Sequence, residues 1–157
     1  MKLHLIVVGK LKTRYLKEGC DDFASRCAHD LQLTVTEVPD EPLRKENASH
    51  IAKVLEKEAF SILKVLKPSF VMVWDVAGKA FSSEGLAETF QTIQSHHGGS
   101  LTMIIGGSYG LHPDVLAQAS LRVSLSNMTF PHGLARLMVL EQTYRAVQIL
   151  NHRAYHK

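Results

Sequence analysis

Cysteine is scarce in this chain: Cys20 and Cys27 are the only two among 157 residues. They lie seven positions apart in a stretch of helical periodicity, about two turns from each other on one face, where a disulfide is not readily closed. With no Cys-x-x-Cys spacing, two small buried apolar side chains are expected rather than a redox pair. Long hydrophobic runs are missing too. No stretch approaches bilayer-spanning length, and the short apolar run between Met1 and Lys12 is followed by no signal-peptide cleavage region, so a cytoplasmic protein without membrane attachment is expected. Charge of one sign is also in short supply. A net charge of +3, with 21% charged residues, permits nucleic-acid binding without demonstrating it.

Several motifs are absent, and each absence removes a function class. The nine histidines form no His-Glu-x-x-His motif, and His96-His97 directs its side chains apart, so no metal is expected. There is no Gly-x-x-x-x-Gly-Lys-Ser/Thr loop for a nucleoside triphosphate, and no Gly-x-Gly-x-x-Gly turn for a dinucleotide.

What is present fits one domain over residues 1–157, with 45% apolar residues to build a core. Apolar runs at Leu3 to Val8, Phe70 to Val76 and Leu101 to Ile105, with alternation at Leu33 to Val38 and Arg122 to Leu125, read as strands. Between them lie helical stripes: Leu16, Cys20, Phe23 and Cys27; Ile51 through Leu66; and Leu86, Phe90 and Ile93 behind a Ser82 or Ser83 cap. Pro113 opens a short helix through Ala119, and Pro131 opens a final one reaching about Asn151. Strands alternating with helices predict an α/β fold with a mostly parallel sheet flanked by helices.

The final helix is apolar on nearly every side, since Leu134, Leu137, Met138, Val139, Leu140, Tyr144, Val147, Ile149 and Leu150 spread around it. More than one surface must cover it. Another subunit would make a homodimer; a central position in the core would satisfy the pattern equally.

Ligands in parallel α/β sheets sit at the carboxyl ends of strands. Three ends here carry unusual chemistry: Trp74 to Gly78, Gly106 to Gly110, and Ser126 to Pro131. Glycines 106, 107 and 110 are expected to use positive φ and to let a ligand approach the backbone. The last loop offers backbone groups, hydroxyls and an apolar wall, suited to adenine or ribose rather than polyphosphate. Neighbouring parallel strands would bring the three together.

Several segments together carry a resemblance: Val7-Val8-Gly9-Lys10-Leu11-Lys12, Glu37-Val38-Pro39-Asp40, Gly78-Lys79 with Ser82-Ser83-Glu84-Gly85-Leu86, Ile105 to Gly110, Met128 to His132, Glu141-Gln142-Thr143-Tyr144-Arg145, and Tyr155-His156-Lys157. In that order, over essentially the whole chain, they resemble the ribosomal large subunit pseudouridine methyltransferase H family of the SPOUT superfamily. The resemblance implies a carboxyl-terminal trefoil knot, a homodimer, and S-adenosylmethionine held at Trp74, Gly106, Leu125, Ser126, Asn127, Met128, Thr129 and Phe130. Trp74 stands where the family more usually resembles an aliphatic residue.

It also implies methylation of ring nitrogen 3 of a pseudouridine in large-subunit ribosomal RNA, on the ribosome or large subunit. That nitrogen must lose a proton as it attacks, so a base or a cation is needed nearby. The candidates are His132, Glu141, Arg145, Tyr155 and His156, with Arg153 and Lys157 assigned to RNA contact. Glu141 and Arg145 also form an i,i+4 pair that could serve the helix alone. A transfer RNA methyltransferase and a non-catalytic ribosome-binding module are the competing readings.

Overall fold

The computed structural model describes residues 1–43 and 45–155. Five strands, β1 (Lys2–Val8), β2 (Gln32–Val38), β3 (Phe70–Ala80), β4 (Ser100–Ile105) and β5 (Leu121–Ser124), alternate with α1 (Arg14–Cys27), α2 (Ala48–Val65), α3 (Ser83–His96), α4 (Pro113–Leu116) and α5 (His132–Leu150). The strands form one sheet in the order β2-β1-β4-β3-β5. Every pairing is parallel, which goes beyond the mostly parallel expectation.

The period-2 alternation of the strands sorts their side chains onto two faces. Leu3, Leu5, Val7, Met72, Trp74, Leu101, Met103, Ile105 and Val123 pack with α1, α3 and α5. On the other face Ile6, Val8, Val38, Val71, Val73 and Ile104 pack with α2 and α4. Local signals set the helix starts. The Asn47 side chain accepts the His50 N–H and caps α2, while Ser82, rather than Ser83, caps α3 by accepting from Gly85 N at 3.1 Å.

Two elements differ from the sequence reading. The short α4 stops at Leu116 rather than Ala119. The third strand runs on past Val76 to Ala80, with an irregularity in the middle: Trp74 and Lys79 both pair with Val123, so 75–78 bulge away between them. Gly78 makes this possible, because a β-carbon there would stand 2.6 Å from the Val123 backbone nitrogen and carbon. What reads in sequence as an exit loop is a strand pressed against β5.

The apolar circumference of α5 is covered in large part within the subunit, as it lies beside both α1 and α3 and against β4. Val139, Leu140, Ala146 and Val147 join the core. Leu134 and Met138, one turn apart, are half-buried and belong to neither core cluster.

Candidate functional site

Because β4, β3 and β5 are adjacent and parallel, the loops leaving Trp74, Ile105 and Ser124 meet at one end of the sheet. They enclose a cavity of about 620 Å³, within the range of small-molecule sites. Its wall includes Trp74, Gly106, Leu125, Ser126, Met128, Thr129, Phe130 and His132, eight of the residues singled out above. Asn127 is exposed and does not line it. Ile105, Leu111 and Ala135 complete the apolar surface, and Asp75 and Ser108 add polar groups.

Among the described residues no lysine or arginine lines the cavity, and its one carboxylate is Asp75. A polyphosphate would find no counter-charge here. A ligand with an apolar ring and a cationic centre fits the lining better, so the donor set suits S-adenosylmethionine. Asp75 is held in place by Arg122, whose Nε donates to Oδ2 at 3.1 Å and whose Nη2 donates to the same oxygen.

Trp74 fills core space, as its burial among Met72, Ile105 and Val123 shows, and it also forms part of the cavity wall. Its indole N–H is buried and, among the described residues, has no hydrogen-bond partner. Such an orphaned donor costs about 1–3 kcal/mol, and a ligand acceptor is one way to recover it.

The glycine loop works differently from expectation. Among residues 106, 107 and 110 only Gly110 has positive φ, at 83°. A β-carbon on Gly106 would not reach toward a ligand; it would strike the Gly110 carbonyl oxygen at 2.5 Å and carbon at 2.8 Å. Gly106 therefore lets the loop close on itself, and the closed loop makes the wall. The third loop is also self-braced, since Ser124 Oγ donates to the Ser126 carbonyl at 2.9 Å and Ser126 Oγ accepts from Met128 N at 3.1 Å.

His132 opens α5 at the mouth of the cavity, its Nε2 standing 3.5 Å from where a Gly9 β-carbon would lie, beside Asp40. Glu141, Arg145 and Tyr155 form a separate cluster farther along α5. Arg145 Nε donates to Glu141 Oε1 at 3.0 Å, Tyr155 Oη donates to the same oxygen at 3.2 Å, and the guanidinium lies 4.8 Å from the Tyr155 ring centroid. Burial, and then the Glu141 carboxylate, push the Tyr155 phenol up from its ordinary value, so it is a proton donor at neutral pH. Nine residues of helix put this cluster about 14 Å from His132, and none of its members lines the cavity. Arg153 is engaged with Asp30 at 2.8 Å, which ties the end of α5 to the end of α1. His156 and Lys157 lie outside the described residues.

Two buried charges escaped the sequence reading. Glu58 on α2 is 5% exposed; it accepts from Glu41 N at 3.2 Å and lies behind Gly107. Burial raises its pKa, and Asp40 and Glu41 add to the rise against the opposing hydrogen bond. Its place between Val54 and Ile62 at four-residue spacing was the available signal. Arg136 on α5 is 9% exposed and donates from Nη1 to Glu37 at 2.6 Å. Cys20 and Cys27 are both buried; desolvation raises the first thiol and pushes the second up to about 12. Among the described residues no group of three metal-ligating side chains gathers, and no helix is long and apolar enough to cross a membrane.

Comparison with known proteins agrees with this geometry. The family model described as "Predicted SPOUT methyltransferase" matches residues 1–156. The chain is 41% identical over 159 residues to the ribosomal RNA large subunit methyltransferase H of Desulforamulus reducens, covering 100% of this chain and 99% of that one. Among solved structures, a Bordetella pertussis protein described as a probable methyltransferase superposes with a TM-score of 0.57 at 11% identity, covering 92% of this chain and 93% of that one. A Legionella pneumophila protein, described as a methyltransferase and solved with bound SAM, gives 0.51 at 12% identity over 96% of this chain and 66% of its own. At such identities these two likenesses speak to the fold alone.

Proposed function

Because this chain belongs to the SPOUT methyltransferase family, we propose that it is a single SPOUT domain that methylates ring nitrogen 3 of a pseudouridine in large-subunit ribosomal RNA, using S-adenosylmethionine. The observation that carries the reading is the cavity built by three strand-end loops, apolar with one carboxylate and no lysine or arginine among the described residues. The full-length relative named as a large subunit ribosomal RNA methyltransferase supports the substrate class. S-adenosylmethionine, when bound, supplies an electrophilic methyl on a sulfonium with a neutral leaving group, so the reaction calls for no metal.

The chain's own residues have two tasks. Trp74, Gly106 and 125–130 hold the cofactor, with Asn127 contributing backbone only, and Asp75 lies within the same wall. The second task is to manage the imide proton of the target base. His132, at the cavity mouth, is placed to accept it or to polarise the adjacent carbonyl. Glu141 holds Arg145 and Tyr155 as a donor pair suited to a developing anion on that carbonyl or to an RNA phosphate. In sequence His156 and Lys157 follow, His156 assigned to proton withdrawal and Lys157, with Arg153, to RNA contact.

A homodimer brings these parts together. Leu134, Met138, Glu141 and Arg145 recur at spacings of four, three and four, one stripe of α5 that begins beside the cavity. Its apolar half lies outside both core clusters. Pairing two such stripes about a two-fold axis would cover Leu134 and Met138 and set the Glu141 cluster and tail of one subunit at the cavity of the other. The carboxyl-terminal trefoil knot implied by the family resemblance belongs to the same reading. So does a cytoplasmic location, where ribosomes are.

Transfer of labelled methyl groups to assembled ribosomes, large subunits, naked ribosomal RNA and transfer RNA tests the proposal. Label in the ribosome or large-subunit fraction is expected, and label in transfer RNA alone would overturn it.

A further inference from the structure

The face of the sheet toward α2 changes character along the strands. At the carboxyl ends it is apolar, with Ile6, Val8 and Ile104 packed under α2 and α4. Toward the amino ends the same face carries His4, Thr34, Thr36 and Thr102. A parallel sheet covered on both faces usually reads apolar throughout, so this polar half is a departure. It forms the floor of a groove of about 490 Å³, overhung by Lys64 and Lys67 at the end of α2 and flanked by Lys2.

The floor is organised. His4 Nε2 hydrogen-bonds Thr36 Oγ1 at 2.8 Å, and Ser69 Oγ meets Thr102 Oγ1 at 2.7 Å. Among the described residues no carboxylate lines the groove, and Lys2, Lys64 and Lys67 make no ion pair. In the adjoining hollow Asp30 is occupied by Arg153. The positive charge of Lys67 reaches the floor, since burial and then Lys67 lower the pKa of His4. The cofactor cavity, at the other end of the strands, has the opposite endowment.

We propose that this groove is a second RNA contact, seating a phosphodiester strand of the substrate about 20 Å, one strand length, from the methyl-transfer cavity. Three cations beside the exposed Thr34 hydroxyl and the neighbouring Thr36 match phosphate oxygens, which accept from lysine and threonine alike. Carboxylates accept from lysine and hydroxyl donors too, so what favours RNA over an acidic peptide is the full-length relative named as a ribosomal RNA methyltransferase. The proposal rests on the preceding section for the identity of the RNA, not for the chemistry of the groove.

The test is the affinity of the full-length protein for large ribosomal subunits across a salt series, for wild type and for Lys2→Ala/Lys64→Ala/Lys67→Ala, with cofactor affinity and methyl transfer measured in parallel. Loss of three phosphate contacts should flatten the slope of log affinity against log salt by about 2 and weaken binding about tenfold or more at 0.1 M salt. Cofactor affinity should not change. An unchanged slope overturns the groove, as does absence of salt-dependent binding by the wild type. Wild-type binding that responds to the substitutions, without methyl transfer, keeps the groove and overturns the enzymatic reading. Two competition arms address other occupants: displacement by polyglutamate but not by RNA oligonucleotides, or amide shifts at His4 and Thr36 with inorganic phosphate but not with RNA, would each overturn the proposal.

Discussion

Replacing Gly106 by alanine separates two accounts of the glycine loop, one in which glycine makes room for a ligand and one in which it lets the loop close. The added β-carbon would lie 2.5 Å from the Gly110 carbonyl oxygen, 2.8 Å from its carbon and 3.0 Å from Leu111 Cγ. Two of these are backbone atoms with no rotamer to escape into. The loop must open by about 0.5–1 Å, an overpacking on the order of 2–3 kcal/mol. If the folded state bears that cost, Tm falls by about 5–10 °C for a chain of this size. The displaced wall should weaken cofactor binding about tenfold to a hundredfold, at about 1.4 kcal/mol per decade. Gly110→Ala is the control: its β-carbon meets nothing within 4 Å, and only the φ of +83° is strained, at about 1–2 kcal/mol. Thermal unfolding and calorimetric titration with S-adenosylhomocysteine give both readouts. Wild-type Tm and affinity for Gly106→Ala, or a larger loss from Gly110→Ala, would refute the reasoning.

Other consequences follow from the buried charges, the thiols and α5. Glu37→Ala should cost about 3 kcal/mol by stranding Arg136 without its partner, a Tm drop of about 6–12 °C, and a drop under 2 °C would show that the pair is not needed. Glu58 has a raised folded-state pKa, so its contribution is fully present below its ordinary value of 4.5 and is lost as pH rises through the folded value. Glu58→Gln, which keeps an acceptor for Glu41 N, should therefore raise Tm at pH 8 relative to wild type, with the gain shrinking toward pH 4; a loss at pH 8 would contradict this. Cys20 and Cys27 should resist a thiol-disulfide reagent at pH 8 until the protein is unfolded, and rapid native labelling would contradict their burial. Light scattering should report twice the chain mass for wild type and the single mass for Leu134→Glu/Met138→Glu; a monomeric, active wild type would remove the dimer.

Much of the fold was legible because its signals are local. Helical periodicity located α1, α2 and α3, and the Asn47 and Ser82 caps set two of their starts. The five strands were readable as apolar runs, but their order is a property of packing and had no local trace. Convergence of the three loops was therefore conditional in the sequence and became a cavity only once β4, β3 and β5 lay side by side. The continuation of β3 to Ala80 was illegible because Gly78 reads as a turn residue, whereas here it permits close approach to Val123. Glu58 and Arg136 were missed because a charged residue on an apolar stripe is ordinarily assigned to solvent; only tertiary partners, Glu41 N–H and Glu37, hold them inside. The family resemblance named individual candidates that periodicity could not, but it did not tell which of them line the cavity. His132 does, and Glu141, Arg145 and Tyr155 do not.

The identity of the methylated nucleoside tests the central claim most directly. Large subunits or ribosomes lacking the modification, incubated with the protein and S-adenosylmethionine carrying a heavy methyl group, would be digested to nucleosides and resolved by mass spectrometry. The account predicts one heavy product, a pseudouridine methylated at nitrogen 3, from large-subunit RNA. A heavy methyl on a ribose oxygen, on another base, or in transfer RNA alone, with none on pseudouridine, would contradict it.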